Sequence, residues 1–168
     1  DFSHVIFGTH SRFHKADFRD RVTFAGAHFA GVTEFLEITF HQVADFSGSH
    51  FASGTGFSGS VFEGPADFSA VTVDQEIYFR FTEFKQSASF HHAQFRQVVD
   101  LTNARFDGGL DFSGVKFHFP PALTGSNVPL DAVSAQGWRS YQALLGIFAG
   151  LVIVVLFYLW LTQGKKTA

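Results

Sequence analysis

The chain has no cysteine and no methionine among its 168 residues, and only four prolines. Without cysteine there are no disulfides, no thiol chemistry and no zinc-finger ligand sets, and the redox compartment stays open. Without methionine, and with Asp1 already inside a repeating unit, the chain is expected to lack its natural start, so a signal peptide or further coils are expected upstream. Positive charge is scarce as well. Residues 1–118 hold nine Lys/Arg against fourteen Asp/Glu, a net −5, which argues against nucleic-acid binding. Also missing are a Gly-rich phosphate loop, a Gly-x-Ser-x-Gly elbow and any other catalytic spacing.

Phenylalanine is abundant. Twenty-two positions spaced alternately five and six residues apart, from Phe2, Phe7, Phe13 and Phe18 to Phe117, hold twenty of the chain's 24 phenylalanines, and the two exceptions are Val73 and Leu101. A helix turning about 100° per residue scatters such steps over several faces, and an odd step of five flips sides along a straight strand. The chain therefore turns a corner at each step. Asp-Phe-Ser recurs at Asp1, Asp45, Asp67 and Asp111 at multiples of 22, so two eleven-residue units make one turn with four faces. A unit that cannot bury its own apolar face, stacked on copies of itself, is a solenoid. Phe24, Phe46 and Phe68 are expected in one column, Phe57 in the column opposite and Phe29 and Phe51 in a third. Small or β-branched residues two places earlier complete the interior.

The succession Ala44-Asp45-Phe46-Ser47-Gly48 then Ser49-His50-Phe51-Ala52-Ser53-Gly54 resembles the pentapeptide-repeat family, whose units follow an A(D/N)LXX pattern. Here Phe replaces the central Leu and alternate faces carry a sixth residue. The resemblance covers residues 1 to about 118 and implies an all-β, right-handed, quadrilateral β-helix; it is specific for fold and says little about function.

From Ala143 to Leu161 nineteen residues carry no charge, about the ~20 needed to cross a bilayer. Trp138 and Tyr141 flank one end and Tyr158 and Trp160 the other, as interfacial aromatics do. A regular solenoid offers no place to bury such a helix, so a single membrane span is expected. The division read from sequence is a solenoid at 1–118, a Pro-containing cap and linker at 119–137, a transmembrane helix at 138–162 and a basic tail at 163–168. Pro120 and Pro121 are expected to stop the coils, because proline lacks a ladder donor. Lys165 and Lys166 against Arg139 place the C-terminus in the cytoplasm and the solenoid on the periplasmic, lumenal or extracellular side.

The polar residues suggest no enzyme. Asp45, Asp67 and Asp111 share a column, but a Phe-filled rod encloses no pocket to shift their pKa values apart, and an Asp before a corner accepts bonds from turn N–H groups. His28 and His50 fall in adjacent coils followed by Thr72 and Gln94, with no carboxylate at that height, and His91-His92 are expected on opposite sides of a strand. No metal or other cofactor is expected. Between Arg21 and Arg80 there is no Lys or Arg, while seven acids make the middle coils negative, a belt suited to a basic partner. Tyr78, Arg80 and Phe81 place aromatics and a cation outside the inward column, the composition of an interface hot spot. Gly146 and Gly150 give the apolar segment a small-x-x-x-small surface for another helix.

These features point to a non-catalytic, membrane-anchored scaffold or accessory subunit, partnered by an integral membrane protein complex and by lipid. An alternative within the resembled family is a DNA-mimicking topoisomerase-binding protein, against which the tether, the mild acidity and the lack of projecting loops all weigh. A sensor domain on a transporter would need more spans.

Overall fold

A bulky apolar residue at every five or six positions, separated by Gly, Ser, Ala and Asp, favours two-residue strands joined by tight corners. The computed structural model describes residues 1–134. They form an all-β, right-handed solenoid of about 5 coils with about 22 residues per turn. The first face is a six-stranded parallel sheet running from Ile6–Phe7 through His28–Phe29, His50–Phe51, Thr72–Val73 and Gln94–Phe95 to Lys116–Phe117. The other three faces are five-stranded, and the second carries His10–Arg12, Val32–Glu34, Thr55–Gly56, Ile77–Tyr78 and Val99–Asp100. Each strand pairs one coil away, so Phe29 lies against Phe7 and Phe51.

The corners close through i→i+3 backbone bonds, for example the Ala27 N–H to the Phe24 carbonyl at 2.9 Å and the Thr82 N–H to the Phe79 carbonyl at 3.2 Å. Two corner columns hold left-handed residues: His4, Gly26, Gly48, Ala70, His92 and Gly114 on one, Lys15, Glu37, Gly59, Phe81, Asn103 and Gly125 on the other. Gly26 and Gly114 tolerate this conformation and also leave room for the rings of His4 and His92, into which a Cβ would run.

Inside, Phe46 stacks on Phe24 at 5.0 Å and on Phe68 at 4.9 Å, and meets the opposite column edge-on at Phe35 and Phe57, both 5.3 Å away. Offset and edge-on ring pairs add about 0.5–1.5 kcal/mol to the roughly 1.5–3 kcal/mol of burying each Phe. Hydroxyls in the interior find backbone partners. Ser60 Oγ accepts from the Ile38 N–H and donates to the Phe35 carbonyl, and Thr82 Oγ1 donates to the Phe57 carbonyl at 2.9 Å. Burial without those bonds would cost about 1–3 kcal/mol per group.

The two ends differ. Phe2, Phe7, Phe13 and Phe18 are only partly buried in the first coil, whereas Phe24 is fully enclosed. At the far end the ladder runs past the two prolines: Ala122 bridges Asp100, and its N–H donates to the Val99 carbonyl at 2.9 Å. The expectation that Pro120 and Pro121 stop the coils is thereby corrected. Thr33, Thr55 and Ile77, the counterparts of Pro121, each donate to the following coil. Among the described residues no coil follows Pro121, so its missing donor costs nothing there. The stop comes later, where Asn127 accepts from the Phe106 N–H and donates to the Phe106 carbonyl, both at 2.9 Å, in place of a strand. The short helix Leu130–Ser134 then buries Val133 against the core. Among the described residues no helix is long and apolar enough to cross a membrane. The expected span at 138–162, with Gly146 and Gly150, lies outside the described residues, as does the basic tail.

Candidate protein-interaction surface

On the second face the outward residues in register are Arg12, Glu34, Gly56, Tyr78 and Asp100. Gly56 interrupts this column. Gly54 before it and Ser58 after it are also small, so the third coil recedes between the bulkier second and fourth. The result is an open notch of about 360 Å³, walled by Val32 and Leu36 on one side and by Tyr78 and Arg80 on the other. A Cβ on Gly56 would come within 3.0 Å of the Leu36 side chain.

Of the three residues singled out in the sequence, Tyr78 and Arg80 line the notch. The Arg80 guanidinium lies 5.3 Å from the Tyr78 ring centre, an attractive cation–π placement. Its Nε donates to Asp100 Oδ2. Asp100 is buried, and burial pushes its carboxyl pKa upward; the Thr102 side chain and backbone N–H together with Arg80 outweigh this and hold it below the usual carboxylate value. A buried charge so satisfied fixes the orientation of the arginine. Phe81 follows at the corner, 63% exposed and at φ 55°. An exposed aromatic in a left-handed conformation is steric strain that the surrounding ladder holds in place.

The core column residues Phe24, Phe29, Phe46, Phe51, Phe57 and Phe68 are all fully enclosed. Asp45, Asp67 and Asp111 each accept a bond from the backbone N–H two residues on, at Ser47, Ser69 and Ser113. The Ser113 side chain and backbone bonds hold Asp111 below the ordinary carboxylate pKa.

Two histidine readings need correction. The rings of His28 and His50 are 4.8 Å apart, but His50 Nε2 also reaches Asp74 Oδ2 at 2.9 Å, because the carboxylate rises from the next coil two residues beyond Thr72. His91 and His92 occupy a corner and not a strand, and their ring centres are 4.0 Å apart. Among the described residues no group of three or more His, Asp or Glu is arranged to hold a metal. His41 is sandwiched between coils: Nδ1 lies 2.7 Å from Glu63 Oε2 and Nε2 2.7 Å from Asp17 Oδ1. Both ring nitrogens face carboxylates, so the charged imidazolium fits best. Hydrogen bonding to Glu63, then to Asp17, raises the His41 pKa, with burial opposing.

The notch escaped the sequence reading, although lining up outward positions at a period of 22 exposes the Glu34–Gly56–Tyr78 break. Among curated proteins none matches this chain. Residues 24–72 and 71–116 match the family described as pentapeptide repeats (9 copies). With over half of its residues covered, and with four faces of in-register strands two or three residues long, the chain belongs to the pentapeptide-repeat family.

Proposed function

We propose that this protein is a non-catalytic, membrane-anchored accessory or scaffold subunit of a larger membrane protein complex, gripping its partner through the face that carries Tyr78, Arg80 and Phe81. The observation that carries the reading is Phe81, a bulky aromatic exposed at a strained corner beside an oriented arginine and a second aromatic. The left-handed corner itself recurs at Lys15, Glu37 and Asn103, so what sets Phe81 apart is the large apolar side chain it leaves exposed there. The anchoring half rests on the uncharged stretch Ala143–Leu161 and its aromatic flanks. The non-catalytic half rests on the interior of the described residues, which is filled by stacked rings where a catalytic site would need paired titratable groups.

The test is purification of the full chain in mild detergent through a tag, with Phe81→Ser and Gly146→Leu/Gly150→Leu variants alongside. A membrane partner should co-purify in constant ratio with the unaltered chain and fall away with Phe81→Ser while the β-sheet circular dichroism stays the same. The Gly pair should weaken capture without releasing the chain from membranes. A chain that extracts with carbonate, or that purifies alone, overturns the reading. For orientation, protease added to cells with a permeabilised outer layer should cut the 119–137 segment and release the rod; cutting only after the inner membrane is opened reverses the assignment.

A further inference from the structure

We infer that the notch at Gly54, Gly56 and Ser58 is the seat for one bulky apolar side chain of a partner, flanked on the partner by basic residues. This rests on the reading of the second face as an interaction surface and names what that surface takes. Strand Thr55–Gly56 is paired on both edges, by Val32–Glu34 and by Ile77–Tyr78, so no free backbone ladder is offered there and strand addition is excluded. Recognition falls to side chains. The recess is walled by Val32, Leu36 and the Tyr78 ring, and its volume of about 360 Å³ is open to solvent, which suits an inserted side chain better than an enclosed small molecule.

Charge decides the flanks. Arg80 is the cation in the wall, and the buried carboxylate of Asp100 takes it up. Glu34 is shared with Arg12 at 2.9 Å. Among the described residues Glu76 makes no such pair. It is half-buried, and its carbonyl accepts from the Thr55 N–H, which sets it against the receding third coil. Five of the seven acids between Arg21 and Arg80 are paired with bases from outside that interval, Glu34 with Arg12, Glu37 with Lys15, Asp45 with Arg21, Glu63 with Lys85 and Asp74 with Arg96. The spare negative charge beside the notch is therefore that of Glu76, and a partner with cations beside its apolar knob is complementary. Like charge there would be repelled.

The probe is a fluorescein-labelled peptide, Gly-Ser-Gly-Lys-Phe-Lys-Gly-Ser-Gly, titrated against the full chain in detergent by fluorescence anisotropy. Two control peptides carry Ser for Phe, or Glu for both Lys. Saturable binding is expected, weakened about tenfold or more by either control. Gly56→Leu, which fills the notch, should abolish it. Glu76→Lys, a surface change that leaves the fold alone, should weaken the Lys-Phe-Lys peptide and strengthen the Glu-flanked one. The inference is overturned by no binding, by equal binding of all three peptides, or by indifference to both substitutions. A concentration-dependent dimer that Gly56→Leu dissolves would assign the notch to a second copy and overturn it too. If the peptide fails while partner capture still depends on Phe81, only this inference falls; if the peptide binds as expected while capture ignores Phe81, the inference stands and the proposed function falls.

Discussion

Inside the third and fourth coils, each ring repeats the one a coil away; outside them, almost nothing repeats. Phe57 stacks on Phe35 and Phe79 at 4.8 and 5.1 Å, while its sequence neighbour Gly56 lies between a glutamate and a tyrosine. Interior repetition is enforced by packing, since a ring that leaves its column opens a void shared by two coils. An outward side chain meets water and carries no such obligation. In a regular solenoid, function is therefore to be sought where an outward column changes abruptly between adjacent coils.

The harshest test of this contrast is Phe57→Asp. A charge among stacked rings should cost more than about 4 kcal/mol and melt several coils together. Full β-sheet circular dichroism at an unchanged melting point would abolish the distinction between inside and outside. Phe81→Gly probes the other side. Relief of the left-handed strain offsets the extra freedom of glycine in the unfolded chain, so stability should move by no more than about 1 kcal/mol while partner capture is lost. A large fall in melting temperature would make Phe81 a structural residue.

A smaller effect, dependent on pH, is expected at His41. Its pKa is raised above the usual 6.5, so the clamp it forms is complete below that value and is lost as pH rises through the folded-state pKa. Glu63 and Asp17 move the opposite way. His41 and then Lys85 lower Glu63 from 4.5, and Arg19 and then His41 lower Asp17 from 3.8, so their share is present above those values and lost in acid. The melting temperature should therefore decline modestly from pH 6 to pH 8, and His41→Gln should flatten that slope; a slope unchanged in the variant would remove His41 as its cause. Smallest of all, His50→Ala loses one half-exposed contact to Asp74, under about 1 kcal/mol, and should leave capture intact. Loss of capture on that change would move the interface to the first face.

The coil period, the ring columns and the Asp-to-corner bonds were all legible, because each depends on residues related by a fixed step. Tyr78, Arg80 and Phe81 were legible as departures from it. What escaped depends on relations the step does not contain. The notch is made by three small residues, but its walls come from two other coils. Asp74 reaches His50 diagonally, and no reading of a single column finds it. Asn127 caps the rod by imitating a strand with its side-chain amide, and one asparagine in a Pro-containing stretch carries no sign of that role.

Because no residue is inserted between the coils from Phe24 to Phe117, every turn advances the rod by one strand spacing, about 4.8 Å, and returns the chain to the same face. The rod therefore behaves as a graduated spacer. Excising residues 24–45, one whole turn, would bring Tyr78 one graduation nearer the first coil while keeping it on the same face, and duplicating them would move it one graduation away. Reach and choice of face are independent variables in this architecture, and lengthening by whole turns lets one change while the other is held.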